Sequence, residues 1–466
     1  MENNWLNKLR QRGKFIFDVV TNDKLKNNIL YAIPFWFASL LTGLIAVGYT
    51  KLFGYSEELL HYLLGIHKWL IFLLAPICFC FASYIAFFFA PNARGSGIPQ
   101  VMAAIDLSAS TRSKKIGMLL STRIIIVKII SSIVMLIGGG AIGREGPTIQ
   151  IAGSVFRQVN KWIPASWPKL SNKSFILTGA AAGLAAAFNT PLGGIVFAIE
   201  ELAKIHISLF RTALFSAVII AGLTAQGFLG PYLYLGYPNV QGLRAAIFIG
   251  VAVAAILSGI CGAIMSKVIL ALMKFRSNLN TGRNILFIIS IGLVVACIAY
   301  FIDSHILGSG KDLMNTMLFT DNKHVHWYTV IFRILGPALA FNTGAAGGVF
   351  APALAAGAAV GGLLAEAFHV IGANANILIL SGMVGFLTGV TRTPFTSAIL
   401  VLEMTDRHSV IFHLMIAALI ANIAALVIDE HSFYEQLKEG YIRSVMNESV
   451  KASNEADDET SETIAG

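Results

Sequence analysis

Charged residues are scarce in this sequence. Only 13% of its 466 residues are Asp, Glu, Lys or Arg, whereas 56% are hydrophobic; a soluble globular domain usually carries about 25% charged residues. A chain with so little charge cannot cover a water-exposed surface with polar side chains, and so much apolar sequence excludes a disordered protein. The net charge of +9 fits basic residues flanking membrane spans better than a nucleic-acid partner. We therefore expect a polytopic membrane protein that contacts lipid and binds no nucleic acid.

Cysteine is also scarce, and its spacing excludes two further classes of protein. The four cysteines all lie within apolar runs, and they fit neither a disulfide framework nor a zinc site. We expect free buried thiols, no metal and no cofactor. The four residues are Cys78, Cys80, Cys261 and Cys297.

Long apolar runs dominate the rest of the chain. A helix that crosses the hydrocarbon layer needs about 20 apolar residues, and no soluble stretch long enough to fold alone lies between the runs. The N-terminus has no cleavable signal pattern, and its Lys and Arg residues predict that it stays in the cytoplasm. The runs cover residues 29–50, 67–91, 116–142, 174–199, 208–236, 244–272, 284–302, 328–341, 348–371, 373–404 and 410–428.

Several runs are interrupted by Gly and Pro. Broken backbone inside a membrane survives only where protein or water lines it. Close helix packing through small residues is the alternative explanation, and it accounts for Gly and Ala better than for the repeated Pro. The interrupted segments are GSGIP at 95–99, GGGAIGREGP at 138–147, TGAAAGLAAAFNTPLGG at 178–194 and NTGAAGGVFAP at 342–352.

An internal repeat relates two of these regions. Residues 178–202 match residues 381–405 at an offset of 203, so that Thr190-Pro191 meets Thr393-Pro394 and Glu200 meets Glu403. Upstream, a Gly-x-x-x-Pro break recurs at an offset of 205. Interrupted segments at matching positions of two halves indicate a transporter whose binding site lies near the membrane midplane.

Three of the breaks have the form of a helix that begins inside the membrane. The first N–H groups of such a helix lack intrahelical partners, and its macrodipole places positive charge there. Gly allows a close approach of the backbone to an ion, and Pro is tolerated in a first turn. Three converging termini of this kind predict an anion site. Their residues are Gly95, Ser96, Gly97, Ile98 and Pro99; Gly143, Arg144, Glu145, Gly146 and Pro147; and Gly348, Val349, Phe350, Ala351 and Pro352.

The order and spacing of GSGIP, GREGP and GGVFAP resemble the signature segments of the CLC chloride channel and transporter family. The stretch TGAAAGLAAAFNTPLGGIVFAIEEL, the later LVLEMTD at 400–406 and SFYEQL at 432–437 also match it. The resemblance covers about residues 30 to 445, and it is to bacterial chloride/proton antiporters in particular. It implies an all-α membrane protein with the CLC-type fold of two inverted repeats and many tilted, broken helices. It also implies a homodimer in which each subunit has its own anion pathway, and a transporter of chloride and protons that is not an enzyme.

This fold divides the chain into five parts, with both termini in the cytoplasm and the body in a bacterial-type inner membrane. The parts are a basic N-terminal segment at 1–28, a first membrane repeat at 29–240, a second at 241–430, a cytoplasmic helix at 431–446 that carries Tyr434, and a disordered acidic tail at 447–466.

The resemblance also assigns roles to single residues. Glu145 would be the gate, since its charged carboxylate occupies the anion site and its protonated form swings away. Ser96 and Tyr434 would donate hydroxyl groups to chloride, together with backbone N–H groups of Gly146, Val349 and Phe350. The alternative for Glu145 is a pair with adjacent Arg144, and Tyr434 has the alternative of an interfacial belt tyrosine.

A second glutamate bears on whether the protein is an exchanger or a channel. In the family, members that move protons carry an internal relay acid, and Glu201 stands at that position. Adjacent Glu200 is at least as well explained by a structural or water-facing role. Lys128, within an apolar run, is better explained as a snorkelling or paired structural lysine than as a residue that tunes the local potential.

We therefore expect a secondary active transporter that exchanges chloride for protons. A passive CLC-type chloride channel is the main alternative. A sodium-coupled symporter would need cation ligands rich in oxygen, and an intramembrane serine protease would need a His in the other broken segments. Fluoride-exporting relatives usually depart from the Ser, GREGP and Tyr patterns that this sequence keeps.

Overall fold

The computed structural model describes residues 23–108, 113–164, 167, 171–203, 211–230, 233–243, 246–320 and 323–446. Most of the basic N-terminal segment and the whole acidic tail lie outside these residues. The boundaries of the two membrane repeats, at 29–240 and 241–430, stay a prediction.

Helices make up almost all of the regular structure in the described part of the chain. The first half contains α1 (Asp23–Ile66), α2 (Ile71–Phe89), α3 (Ile98–Ser108), α4 (Ile116–Leu119), α5 (Thr122–Ile137), α6 (Glu145–Trp162), α7 (Asn172–Phe188), α8 (Pro191–Phe197) and α9 (Arg211–Leu229). The second half contains α10 (Ile247–Ser277), α11 (Thr281–Phe301), α12 (Lys311–Phe319), α13 (Trp327–Asn342), α14 (Phe350–Ala367), α15 (Gly372–Thr391), α16 (Pro394–Thr405), α17 (Ile411–Leu426) and α18 (433–446).

Nine helical segments among the described residues are long and apolar enough to cross a membrane. The prediction of a polytopic membrane protein is therefore confirmed. The apolar run at 373–404 is not one span, because α15 ends at Thr391 and α16 begins at Pro394. Pro394 has no N–H to continue a helix, but it fits the first turn of a new one.

The sequence repeat is also a repeat of backbone conformation. Asn189 ends α7 with φ 58°, and Arg392 ends α15 with φ 62°. Both residues adopt the left-handed conformation that side chains other than Gly rarely take. Each is followed by a Thr-Pro pair that starts the next helix, with nearly equal dihedral angles at Thr190 and Thr393. The two halves thus share the same unusual break at the same place.

Small residues pack the centre of the protein tightly. A Cβ atom added to Gly357 in α14 would lie 2.3 Å from the carbonyl oxygen of Gly382 in α15. Gly259 and Gly389 make the same kind of backbone contact between α10 and α15. Without a hydrophobic driving force between helices in lipid, such close approach is a main source of association. Packing through small residues therefore explains these glycines.

Candidate functional site

The three motifs meet in the interior of the protein. GSGIP leads into α3, GREGP into α6 and GGVFAP into α14. Paired hydrogen bonds join Gly143 to Gly348, each N–H donating to the other carbonyl at 2.8 Å. Gly95 donates to Ala345 at 2.9 Å and accepts from Gly347 at 3.1 Å. The starts of α3, α6 and α14 therefore converge.

Glycine is required where the motifs touch. A Cβ atom at Gly146 would lie 2.3 Å from the Ser96 hydroxyl oxygen, which is closer than real Cβ contacts come. Gly97 has φ +106°, and a Cβ atom there would lie 2.7 Å from the carbonyl oxygen of Gly146. A side chain at either position would push the starts of α3 and α6 apart. These glycines therefore hold the two termini at contact distance.

Three polar side chains meet at these termini with unused hydrogen-bonding atoms. The exposed fractions of Ser96, Glu145 and Tyr434 are 1%, 1% and 0%. The hydroxyls of Ser96 and Tyr434 are neighbours. Within the described chain, neither of these hydroxyls has a hydrogen-bond partner, and the same is true of Glu145 Oε2. Buried polar atoms in native proteins are nearly always paired, so a cluster of unpaired ones marks a place where a polar ligand fits.

Glu145 begins α6 and directs its carboxylate toward the start of α14. The backbone N–H of Ala351 donates to this carboxylate, and Ala351 belongs to the first turn of α14. The guanidinium of Arg144 donates to the carbonyl oxygens of Thr50 and Ala187, both at 3.4 Å. A negative group at the N-terminus of α14 has the favourable electrostatic environment that a bound anion would have.

Tyr434 reaches the centre from the second residue of α18. Its ring stacks on Phe350, with 6.1 Å between centroids, and lies 5.4 Å from the ring of Phe433. Phe433 packs edge-on against Phe341 at 5.5 Å. These contacts bury the phenol completely. Tyr434 is therefore an interior residue rather than a tyrosine of the interfacial belt.

Glu201 lies in a π-helical turn, Ala198–Ala203, that directly follows α8. π-turns inside helices occur frequently at functional sites. Its exposed fraction is 6%, so the side chain does not face water. Phe197, one turn earlier, packs edge-on against Phe350 at 6.4 Å. Glu145 and Glu201 both lie close enough to the Tyr434 hydroxyl to act on it electrostatically.

Glu200 has a structural position. Its carboxylate accepts backbone N–H bonds from Phe395 at 3.1 Å and from Thr396 at 2.7 Å, and the Thr396 hydroxyl also donates to it at 2.7 Å. These donors stand at the N-terminus of α16, so Glu200 caps a helix of the other half of the chain. The structural interpretation of Glu200 is the one that the contacts support.

The loop that leads to Ser96 is held by side chains that sequence reasoning did not assign to the site. Lys128 is fully buried, and its ammonium donates to the carbonyls of Ala93 at 2.9 Å and Gly95 at 2.8 Å. Lys128 therefore neither snorkels to the membrane surface nor forms a salt bridge among the described residues. Gln100 donates to the Arg94 carbonyl at 2.6 Å.

Two further donors reach the same loop from distant helices. Gln150 in α6 donates to Asn92 at 3.0 Å, and Tyr441 in α18 donates to Arg94 at 3.2 Å. In the sequence, the only indication of a role for these two donors is that each is a polar residue within a helix. Their targets are loop carbonyls, which a sequence pattern does not reveal.

The sequence matches a family model described as "Voltage gated chloride channel" over residues 78–426. Two curated relatives are named H(+)/Cl(-) exchange transporter ClcA. The relative from Citrobacter koseri is 30% identical and covers 89% of each chain. The relative from Salmonella arizonae is 29% identical over 92% of this chain and 91% of its own.

Solved structures share the fold. The crystal structure of a slow cyanobacterial Cl⁻/H⁺ antiporter superposes with a TM-score of 0.76 at 23% identity, covering 89% of this chain and 98% of that one. A CLC-type fluoride/proton antiporter superposes with a TM-score of 0.74 at 18% identity, with the same coverage. Likeness at this level of identity establishes the fold that the motifs predicted.

Proposed function

The chain belongs to the voltage gated chloride channel (CLC) family, and on that premise we propose that it exchanges chloride for protons across a membrane. It is then a secondary active transporter with no cofactor, rather than an enzyme. The name that its curated relatives carry, H(+)/Cl(-) exchange transporter, supports this proposal.

One observation carries the proposal. The unpaired atoms of Ser96, Glu145 and Tyr434 gather where α3, α6 and α14 begin. Two of these groups are hydroxyl donors, and the helix ends contribute backbone N–H groups, for which we propose Gly146, Val349 and Phe350. Neutral donors stabilise a chloride ion without holding it as tightly as a buried ammonium or guanidinium would. Such a site favours rapid release.

Glu145 acts as the gate in this mechanism. Its ionised carboxylate lies at the first turn of α14, where it takes the place of an anion. When the carboxylate gains a proton, its attraction for the positive end of the helix falls, and the neutral side chain leaves. Chloride then enters the vacated position. Because each opening requires Glu145 to bind a proton, chloride movement becomes linked to proton movement.

Glu201 supplies the proton from the other side. It is buried, and both it and Glu145 are near Tyr434. A buried carboxyl group next to apolar side chains is suited to carry a proton into a membrane protein. A passive chloride channel is the second candidate, and it would leave Glu201 without a transport role.

We propose further that two copies of the chain form a homodimer in a bacterial-type inner membrane, with both termini in the cytoplasm. We assign the dimer contact to a face of exposed apolar side chains on helices that pack side by side, α9, α8, α16 and α17, and on the π-helical turn after α8. This face comprises Ile219, Leu223, Leu192, Ile199, Phe395, Phe412, Ile416, Leu419 and Ile423. Sedimentation in detergent should give twice the chain mass of 50.1 kDa; a single-chain mass would contradict the dimer.

Reconstituted liposomes test the transport proposal. Liposomes loaded with chloride should release it through the protein while the external solution loses protons. Chloride release with no change in external pH would favour the passive channel. No release of chloride at all would contradict both candidates.

A further inference from the structure

A large basic cavity opens beside the loop that carries Ser96. Its volume is about 1150 Å³, and it lies between that loop, the C-terminal end of α10, the end of α13 and the outer face of α18. Among the described residues, four cationic side chains line the cavity and no Asp or Glu does. The four are Arg94, Lys274, Arg276 and Arg443.

In the part of the chain that the structure describes, only one of these four cationic side chains has an acidic partner: Arg443 pairs with Glu439 at 3.4 Å. Arg276 donates to the Asn284 side chain at 2.8 Å and to the Asn342 carbonyl at 2.9 Å, both neutral acceptors. Arg94 donates to the carbonyl of Pro91. Among the described residues, neither of these arginines nor Lys274 forms a salt bridge. Clustered like charges that outnumber their acidic partners raise the local concentration of anions.

The cavity is adjacent to the loop that leads to the proposed chloride site. Arg94 and Gly95 both line it, and Ser96 is the next residue in the chain. Tyr441, also in the lining, donates to the Arg94 carbonyl. An anion that fills the cavity therefore lies beside the loop that carries Ser96.

We infer that this cavity is the docking site for the acidic tail of the same chain, residues 447–466. The tail lies outside the described residues, but its sequence carries six acidic residues and one lysine. Four of the acids fall within six positions, Asp457, Asp458, Glu459 and Glu462. Their charge complements that of the cavity. The proposed chloride transport makes this docking an autoinhibitory contact, so the inference rests on the proposed function.

The covalent link between α18 and the tail favours the tail over a free anion as the occupant of the cavity. Arg443 and Ser444 in the last turn of α18 belong to the cavity lining, and the tail starts at residue 447. An extended chain advances about 3.3 Å per residue, so Asp457 can reach any part of the cavity. A short tether raises the effective concentration of a ligand to the millimolar range. A free phosphate or an anionic lipid headgroup lacks that advantage.

Ionic strength controls the contact. Exposed charges are screened over about 10 Å at 0.1 M salt and over about 3 Å at 1 M. Docking is therefore strong at low salt and weak at high salt. The tail should slow chloride entry when salt is low and have little effect when salt is high.

Chloride flux in liposomes tests the inference by comparing the wild-type protein with three variants of its tail. One ends after Met446, one has a neutralised tail, and one has a tail of the same composition in shuffled order. The neutralised tail carries Glu455→Gln, Asp457→Asn, Asp458→Asn, Glu459→Gln and Glu462→Gln. At about 10 mM salt, truncation and neutralisation should each raise the flux roughly three- to tenfold, and at about 0.5 M salt the forms should agree. The shuffled tail should inhibit like the native one.

A binding measurement tests the same contact without transport. A fluorescent peptide of residues 447–466 should bind the truncated protein, and Lys274→Gln with Arg443→Gln should weaken that binding at least about tenfold. Lys267→Gln, an exposed change on α10 outside the cavity, should leave it unchanged.

Several outcomes would overturn the inference. Equal chloride flux from the full and truncated chains at low salt would overturn it. Peptide affinity that stays the same after Lys274→Gln with Arg443→Gln would also overturn it. Inhibition of both forms alike by phosphate, or only in vesicles of anionic lipid, would assign the cavity to those anions. If no form moves chloride, the proposed function fails, and peptide binding alone then decides whether the tail docks.

Discussion

Glu200 and Glu403 each cap a helix that belongs to the other half of the chain. Glu200 accepts the first free N–H groups of α16, whereas Glu403 accepts those of Leu192 at 3.0 Å and Gly193 at 2.6 Å at the start of α8. The two residues correspond in the internal repeat, so one contact is repeated with the halves exchanged. The pair fastens the two repeats together next to the turn that carries Glu201.

Replacing either glutamate by alanine should lower stability. Glu403→Ala removes the acceptor of the Leu192 and Gly193 N–H groups at the start of α8, and the loss of such a cap costs about 1–2 kcal/mol. Glu403→Gln keeps one acceptor oxygen and should lose less. Thermal unfolding of the detergent-solubilised protein measures the effect, with Glu430→Ala, an exposed change, as the control. Equal unfolding temperatures for Glu403→Ala and the wild type would show that the cap contributes nothing.

Lys128→Met should weaken chloride binding. The substitution removes the Lys128 donor from the Ala93 carbonyl and leaves the Gly95 carbonyl with the Gly347 N–H alone among the described donors. Hydrogen bonds from a charged group are worth about 1.5–3 kcal/mol each. The loop before Ser96 should then lose its fixed position, which corresponds to an affinity lower by about tenfold or more. Titration calorimetry with chloride measures this change.

Arg123 provides the matched control for Lys128. It lies on the same helix, α5, but its side chain is exposed. Arg123→Met removes a positive charge without touching the loop, so chloride affinity should stay at the wild-type value. If both substitutions weaken binding equally, Lys128 acts through its charge alone and not by holding the loop.

Glu145→Ala should uncouple chloride flux from proton movement. Without the carboxylate, nothing competes with chloride at the start of α14, and no proton is needed to open the pathway. Chloride flux in liposomes should continue, with less than about a twofold change between pH 4.5 and 7.5, and proton movement should cease. The exposed Glu58→Ala should keep the pH dependence of the wild type. A Glu145→Ala protein that still couples the two ions would contradict the gate.

The stability of the protein should depend on pH because of Asp303, which lies just after the end of α11. Burial alone would raise its pKa, but hydrogen bonds from His305 and Thr329 outweigh burial and lower the pKa from 3.8 to about 2. A carboxyl group with a lowered pKa stabilises the fold above its unfolded pKa, and that contribution disappears as the pH falls from about 4 to about 2. Because its partner His305 is half exposed, solvent screening reduces this contribution to about 1 kcal/mol.

Asp303→Asn tests this assignment. The variant should unfold at a lower temperature than the wild type at pH 7, and the difference should shrink as the pH falls below about 4. Asp312→Asn removes a carboxylate whose side chain is 82% exposed and should change little at any pH. A difference for Asp303→Asn that is the same at pH 7 and pH 3 would contradict the stabilising role of the carboxylate.

The starts of three helices were predictable from the sequence because Gly and Pro mark them directly. The motifs locate the beginnings of α3, α6 and α14 to within a residue or two, and the repeat predicts that the break after α7 recurs after α15. The ends of long helices were less predictable. The first apolar run ends at residue 50, but α1 continues to Ile66, since its polar residues do not interrupt the backbone hydrogen bonds.

The supports of the site were not predictable. Lys128 binds a carbonyl 33 positions away, and Gln150 binds one 58 positions away. Both side chains bind backbone carbonyls, and a sequence pattern does not show which carbonyl a side chain will bind. The caps at Glu200 and Glu403 span about 200 residues. Such contacts arise only when the two halves of the chain pack together, so they belong to the tertiary structure.

Uphill proton transport tests the central proposal most directly. Liposomes that contain the wild-type protein receive an outward chloride gradient with equal pH on both sides, and the internal pH is recorded together with chloride efflux. Proton-coupled exchange predicts that protons accumulate inside against their own gradient, and that Glu201→Gln abolishes this accumulation while chloride still leaves. Chloride efflux from the wild type with no proton accumulation would contradict exchange and identify the protein as a passive channel.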